Sequence, residues 1–128
     1  MRILTQLYQC CVSTYPCKDE DCNINLITTL KDRYGCPVGY SGHEEGILPS
    51  ILAVSVGAVA LERHITLDRK MYGSDQSASI ESEELSRLVL ESRKVTNTMG
   101  TGQKMFLQHE VPVANKLRYF EGGKSANA

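Results

Sequence analysis

The sequence carries almost no net charge, with 14 lysine and arginine residues against 15 aspartate and glutamate residues and a formal charge of −1. No basic field therefore points to nucleic acid or to an anionic membrane surface. The longest apolar run, residues 51–61, is interrupted by Ser55 and Gly57 and is too short to span a bilayer. Residues 1–6 lack the apolar core of a signal peptide, so we expect a cytoplasmic protein with no membrane partner.

The sequence also lacks the glycine motifs of nucleotide-binding loops, both the Walker type and the dinucleotide-binding type. Its five cysteines are an odd number in a chain unlike a small secreted scaffold, so we expect reduced thiols. Cys17 and Cys22 are separated by four residues, which invites a zinc interpretation. The adjacent pair Cys10-Cys11 does not match the spacing of a structural zinc site, and packed thiols are the simpler interpretation.

At 128 residues and 41% hydrophobic composition, the chain is long enough for one domain with a sizeable core. Apolar patterning and turn residues predict strands at residues 4–12, 37–41 and 59–65, each followed by a helix, at roughly residues 23–34, 47–55 and 82–99. This order calls for parallel strands with helical crossovers. Three such units look like a piece of something larger, so we predict an α/β fold, a partial TIM (β/α)8 barrel comprising roughly its last three β/α units.

Two segments end predicted strands in polar tips that each carry one histidine: residues 39–46 (GYSGHEEG) and residues 61–69 (LERHITLDR). Alternation places Ser41 and His43 on one face of the second strand, and Glu62 and His64 on one face of the third. If both faces point inward, the four side chains converge at the C-terminal mouth of a barrel, where such enzymes keep their active sites. Two neutral imidazoles suit a divalent transition metal such as Mn²⁺ that keeps open positions for water or substrate.

Each of these residues also has a structural interpretation. His43 and His64 could be hydrogen-bonded loop residues, and Glu62 could be a buried partner for an arginine such as Arg63. Asp75 lies in a polar segment, residues 68–79, where carboxylates are more often solvated than functional. On residue patterns alone these alternatives stay open.

Four motifs occur in order along most of the chain: Cys10-x-x-Ser13-x-Tyr15-Pro16, Gly39-Tyr40-Ser41-Gly42-His43-Glu44, Glu62-Arg63-His64-Ile65-Thr66-Leu67-Asp68 and Gly73-Ser74-Asp75-Gln76. Together they resemble the sialic acid (N-acetylneuraminate) synthase family and its relatives that make legionaminic or pseudaminic acids. The resemblance implies a transferase that condenses phosphoenolpyruvate with N-acetylmannosamine or a related sugar and releases phosphate.

The resemblance also implies a site. His43 and His64 would bind Mn²⁺ or Mg²⁺, which activates the open-chain aldehyde of the sugar for attack by the enol carbon. Glu62 would act with them in catalysis by helping to position water or substrate.

Substrate contacts follow from the same resemblance. Tyr15 and Asp75 fall where the family contacts the acceptor sugar, and Ser13 and Ser41 fall where it contacts phosphoenolpyruvate.

The resemblance further assigns residues 1–108 to the C-terminal part of the barrel domain. Residues 109–128 are then a linker, expected to be a disordered tail, toward a missing antifreeze-like domain. In this family that domain covers the active site of the other subunit in a homodimer. Because earlier strands that grip phosphoenolpyruvate are missing, the isolated chain is expected to be inactive. The alternative is a non-catalytic metal-binding remnant or interaction module of the same fold.

Overall fold

The computed structural model of the chain describes residues 7–117. Its strands are β1 (Tyr8–Cys11), β2 (Val38–Gly42) and β3 (Leu61–Arg63), and its helices are α1 (Leu26–Tyr34), α2 (Leu48–Ser55), α3 (Ser82–Met99) and α4 (Val111–Leu117). Short 3-10 turns lie at Asp19–Asp21 and Gln108–Glu110. None of the described helices is long and apolar enough to cross a membrane.

The three strands form one parallel sheet in the order β1-β2-β3. In this register Cys11 lies beside Ser41, and Ser41 lies beside Glu62. The α/β class with a parallel sheet is therefore confirmed. Because neighbouring strands run in the same direction, all three of their carboxyl ends lie at one edge of the sheet.

Local sequence signals fix the helix ends. Gly35 ends α1 in the left-handed conformation at φ 60°, and its N–H donates to the carbonyl of Lys31 at 2.9 Å. Pro49 lies in the first turn of α2, where its missing N–H costs no helical bond. Glu81 and Glu84 form a capping box at the start of α3.

The core consists of two clusters. The first joins the sheet to α1 and α2 and contains Cys10, Ile27, Val38, Tyr40 and Ala53. The second joins α2 to α3 and contains Ile47, Ile80 and Leu88, while the partly buried Leu61 contacts both clusters. Full burial of a side chain as large as Ile27 contributes about 1.5–3 kcal/mol.

The third strand is shorter than predicted. Val59 and Ile65 were expected to share an apolar face with Leu61, but both lie outside β3 and are 63% and 66% exposed. Regular pairing with β2 extends over only three residues of this strand, and Ile65 instead makes an isolated bridge to Ile80. Of the predicted apolar side chains on this strand, Leu61 is the one packed in the core.

The first strand is also shorter than the predicted residues 4–12, of which residues 4–6 lie outside the described part of the chain. At the other end, α4 falls within the segment that was expected to be a disordered tail. Residues 118–128 of that segment lie outside the described residues.

A buried ion pair joins the carboxyl ends of β2 and β3. Arg63 Nη1 lies 2.7 Å from Glu44 Oε1, with the two side chains 3% and 0% exposed. Tyr40 and Ser50 also donate their hydroxyls to the Glu44 carboxylate, each at 2.9 Å. The interpretation that Glu62 is a buried partner of Arg63 is therefore wrong, since Arg63 pairs with Glu44 and Glu62 is exposed.

Gly42 lies against the Glu44 carboxylate of this ion pair. A Cβ atom at this position would lie 2.6 Å from Glu44 Oε2 and 2.8 Å from Tyr40 Cε1. Both groups are buried and hydrogen-bonded to each other, so neither has free space into which it can retreat. The last residue of β2 must consequently be glycine for the pair to form as it does.

Candidate functional site

Three rings meet at the carboxyl end of the sheet, where the chain leaves each strand. Tyr15 follows β1, His43 follows β2 directly and His64 follows β3 directly. The ring centroids of Tyr15 and His43 are 4.3 Å apart, those of His43 and His64 are 5.2 Å apart, and those of Tyr15 and His64 are 5.8 Å apart. Because Gly42 pairs with Arg63, the next residue of each strand is a histidine and the two imidazoles come side by side.

His43 is held in one orientation by the backbone. Its Nδ1 lies 2.9 Å from the carbonyl oxygen of Val12, and a carbonyl oxygen can only accept, so Nδ1 carries the hydrogen. In the neutral ring, Nε2 therefore has its lone pair free. The carbonyl of His43 in turn accepts from the N–H of Cys17 at 2.8 Å, which returns the loop carrying Tyr15 to the end of β2.

Glu62 places a carboxylate beside the two imidazoles. Ser41 donates its hydroxyl to Glu62 Oε1 at 2.8 Å, and Gln9 Nε2 lies 3.4 Å from Oε2. These hydrogen bonds, Ser41 first and Gln9 second, hold the pKa of Glu62 below its ordinary value, and the nearby histidines act in the same direction. Glu62 is therefore ionised at neutral pH and contributes negative charge to the site.

Asp75 approaches from the polar segment between β3 and α3. Its Oδ2 lies 4.0 Å from His64 Nδ1, which is too far for a hydrogen bond, and both side chains are partly exposed. Arg69 anchors this segment, since it donates from Nε to the carbonyl of Ser79 at 2.8 Å and pairs with Glu84 at the start of α3. Asp75 is thereby kept at the edge of the site.

The predicted site residues are brought together at this end of the sheet, with Ser13 at its margin. Ser13 is exposed and lies in the loop after β1, with its Oγ 3.9 Å from Cys11 Sγ. Sequence reasoning missed two neighbours, Cys11, whose Sγ is 3.8 Å from His43 Nδ1, and Gln9. Alternation along β1 would have found both, because Gln9 and Cys11 are two residues apart in this strand and share one face.

Within residues 7–117, none of the other four cysteine thiols is hydrogen-bonded to either imidazole. All five are free thiols, and the buried Sγ atoms of Cys17 and Cys22 are 3.9 Å apart. Burial raises the pKa of the Cys22 thiol to about 11, so it remains protonated at neutral pH. Among residues 7–117, no group of three or more histidine, cysteine, aspartate or glutamate side chains is arranged to hold a metal ion.

Two histidines are nevertheless suited to hold a divalent metal together with water or substrate. The bond from His43 Nδ1 to the Val12 carbonyl is the kind of support that ligating histidines usually have, since it leaves Nε2 free and fixes the ring. The 5.2 Å separation of the ring centroids is close enough for both rings to bind one ion. The Glu62 and Asp75 carboxylates add a negative potential that favours a cation there.

Replacement of Ser41 by alanine is expected to raise the pKa of Glu62 toward its ordinary value, because the largest of its stabilising hydrogen bonds is removed. The folded-state pKa of Glu62 is lowered, so its contribution to stability is present above the unfolded pKa and is lost as pH falls through the folded pKa. Ser41→Ala should reduce the stability that ionised Glu62 contributes, because its folded-state pKa then lies closer to the unfolded value. Carbon-13 NMR of the labelled glutamate carboxyl groups measures the shift.

Ser55→Ala serves as the matched control, since Ser55 donates to the Leu52 carbonyl at the far end of α2. It should leave the Glu62 titration unchanged. An unchanged titration in Ser41→Ala as well would contradict the assignment of the hydrogen bond.

The sequence of this chain is similar to those of known proteins. The model of the NeuB family matches residues 5–104. The chain is 45% identical over 108 residues to N-acetylneuraminate-9-phosphate synthase of Mus musculus, covering 84% of this chain and 30% of that protein. It is 39% identical over 108 residues to N,N'-diacetyllegionaminic acid synthase of Legionella pneumophila, with the same two coverages. The chain thus spans less than a third of the length of these relatives.

A solved structure shows the same likeness in three dimensions. The chain superposes on N-acetylneuraminic acid (sialic acid) synthetase from Leptospira borgpetersenii, crystallised in complex with citrate, with a TM-score of 0.74 and 38% sequence identity. The match covers 88% of this chain and 40% of that one. The parallel sheet and its helices therefore correspond to a part of a larger fold.

Proposed function

The chain belongs to the NeuB family, and on this basis we propose that it forms the metal-binding part of a sialic acid synthase-type transferase. The proposed reaction condenses phosphoenolpyruvate with N-acetylmannosamine or a related sugar and releases phosphate. The observation that carries the proposal is the convergence of Tyr15, His43 and His64 at the carboxyl end of a parallel sheet, with the ionised Glu62 beside them.

The proposed fold of the whole protein is a TIM barrel to which this chain contributes roughly the last three β/α units. Two observations support it: the strand order is sequential and parallel, and within the described residues the outer edges of β1 and β3 pair with no further strand. Residues 1–108 would then belong to the barrel, and residues 109–128 would lead toward a further domain. We propose that the full-length protein acts as a homodimer in the cytoplasm.

His43 and His64 would hold the metal, Mn²⁺ or Mg²⁺. The bound ion would supply Lewis acidity to the sugar carbonyl. Glu62 supplies a fixed negative charge that favours the ion and accepts hydrogen bonds from water or sugar hydroxyls. The Tyr15 ring packs against His43 and is 43% exposed, so the side chain of Tyr15 is open to the acceptor sugar. Asp75 lies beside His64, with its Oδ2 4.0 Å from His64 Nδ1.

Ser13 and Ser41 would contact phosphoenolpyruvate. Ser41 gives its hydroxyl hydrogen to Glu62, so a donor role toward substrate requires that hydroxyl to turn. The anionic substrate also calls for cationic partners. Arg63 and Arg69, on either side of His64 in the chain, are both engaged with carboxylates, Glu44 and Glu84. We propose that the missing cations come from the remainder of the barrel.

The chain alone, given Mn²⁺, phosphoenolpyruvate and N-acetylmannosamine, is therefore expected to show negligible product formation. Its site lies on an open face, with Glu62 exposed and the His64 side chain 40% exposed, so it neither excludes water nor grips phosphate. Chromatographic detection of the sugar acid measures turnover. Robust turnover would contradict the proposal that further strands are needed.

A chimera tests the proposed function directly. This chain would replace the matching 108-residue segment of the Mus musculus relative, and the chimera should form product that is lost on His64→Ala. A folded chimera that binds Mn²⁺ without turnover would favour the second candidate, a non-catalytic metal-binding module. That candidate rests on the exposure of the site and on the engaged arginines.

A further inference from the structure

We propose that the buried ion pair of Glu44 and Arg63 is a positioning device that fixes the separation of His43 and His64. Its consequence for metal binding rests on the proposed function, but the geometric part does not. The two partners make no contact of their own with the site, so they are positioning residues and not catalytic ones.

Chain adjacency gives the first argument. Glu44 directly follows His43, and Arg63 directly precedes His64. Side chains alternate along extended backbone, so each histidine and its charged neighbour point to opposite sides. The charged pair is buried beneath α2, whereas Glu62 and His64 lie on the accessible side. A contact on one side of the sheet therefore sets the distance between rings on the other.

The bonds of the guanidinium group give the second argument. Arg63 Nη2 donates to the main-chain carbonyl of Glu44 at 2.7 Å, and Nη1 donates to the carbonyl of Gly46 at 2.8 Å. Nη1 also contacts Ser50 Oγ at 3.0 Å. The side chain from the end of β3 thus holds the backbone that follows His43, and not only a flexible carboxylate.

The other histidine is fixed from its own side. The carbonyl of His64 accepts from the N–H of Ile80 at 2.9 Å, and the N–H of Thr66 donates to the carbonyl of Ile80 at 3.0 Å. These bonds fasten His64 to the segment before α3. The guanidinium fork of Arg63, formed by Nη1 and Nη2, then links the end of β3 directly to the backbone after His43. Loss of the fork should let the two rings move apart.

The planar shape of the Arg63 guanidinium group allows it to hold several acceptors at once. Arginine presents several N–H groups in a fixed plane, whereas lysine carries one compact ammonium group on a flexible stem. Arg63→Lys keeps the charge and loses part of the bond set. It should therefore give an effect between those of the native chain and of Arg63→Met.

The test is Mn²⁺ titration of the full chain, followed by electron paramagnetic resonance of the free ion. Arg63→Met is expected to raise the Mn²⁺ dissociation constant about 10- to 100-fold, the usual effect of removing support from a ligand. Leu88→Ala is the matched control. It removes a buried side chain from the cluster between α2 and α3 and so lowers stability. The hydrogen bonds of the Arg63 guanidinium group go to Glu44, Gly46, Ser50 and Ala78 and do not involve Leu88, so Leu88→Ala should bind Mn²⁺ as the native chain does.

Equal Mn²⁺ affinities in the native chain, Arg63→Met and Leu88→Ala would overturn the inference and leave the ion pair a purely structural element. If Arg63→Met does not fold, Arg63→Lys decides, and a native-like affinity in that variant overturns it.

A metal-free readout separates this inference from the proposed function. Nuclear Overhauser contacts between the ring protons of His43 and His64 should be present in the native chain and in Leu88→Ala, and should weaken in the Arg63 variants. A native chain that fails to bind Mn²⁺ would refute the proposed function. The ring contacts would then still decide whether the ion pair positions the histidines.

Discussion

Replacement of Arg63 by methionine is expected to lower the free energy of unfolding by about 3–5 kcal/mol, because it leaves a buried carboxylate without its cation. Glu44 is fully buried and is paired through Arg63 Nη1 at 2.7 Å. Tyr40 and Ser50 would still donate to it, but two neutral donors do not neutralise the charge. Methionine preserves much of the apolar stem, so the loss reports the charge and its bonds and not an empty space. Urea unfolding followed by circular dichroism measures the change.

Two further variants give this experiment its controls. Lys94→Met breaks the exposed pair with Glu91 and should cost no more than about 1 kcal/mol. The double variant Glu44→Gln with Arg63→Met removes both charges and should recover part of the loss, since no buried charge is then left uncompensated. A loss below about 1 kcal/mol in Arg63→Met would refute the view that this pair is essential to the fold.

Each of the substitutions His43→Ala and His64→Ala is expected to weaken Mn²⁺ binding by more than about 100-fold. Loss of a group that only supports a ligand already costs about 10- to 100-fold, and each change here removes one of two proposed protein ligands. The effect should exceed that of Arg63→Met. Isothermal titration calorimetry or resonance of the free ion measures the affinity.

The third histidine is the matched control. His109 lies in the exposed 3-10 turn Gln108–Glu110, outside the sheet, and His109→Ala should leave the titration unchanged. If both site variants bind Mn²⁺ as tightly as the native chain, His43 and His64 are not its ligands.

Much of the site geometry followed from local pattern. Alternation with period two depends only on the backbone of each strand, so it predicted that Ser41 and His43, and likewise Glu62 and His64, share a face. The observed register then brings these faces together, with Ser41 bonded to Glu62 and the two rings adjacent. What the residues do chemically stays a prediction until the binding experiments are made.

The buried side of the sheet was not predictable in the same way. The sequence pattern does not predict the burial of Glu44, yet it is fully buried and bonded to Arg63. Arg63 was considered as a partner of Glu62. Alternation shows that Arg63 and Glu62 point to opposite faces, but it cannot say which carboxylate from another strand lies opposite the arginine. That choice depends on register and on the packing of α2, which are properties of the assembled fold.

The strand ends were also set by the assembled fold. Val59 and Ile65 have strong strand propensity, but regular pairing with β2 extends only from Leu61 to Arg63. Propensity describes how well a residue suits a pleated surface, whereas regular pairing also depends on the neighbouring backbone. The N–H of Val59 still donates to the Val38 carbonyl at 2.9 Å before the regular register begins, and past Ile65 the N–H of Thr66 donates to the Ile80 carbonyl at 3.0 Å.

The crowding around Gly42 has a consequence for mutational scanning. Any larger residue at position 42 meets the Glu44 carboxylate and the Tyr40 ring, so a library scored for Mn²⁺ binding would rank this position beside the two histidines. Its intolerance has a different origin, because glycine contributes no functional group to the site. A parallel score for protein abundance would separate the two kinds of position: abundance should fall at Gly42 and hold at the partly exposed His64. Maps of sensitivity alone would mistake a packing requirement for chemistry.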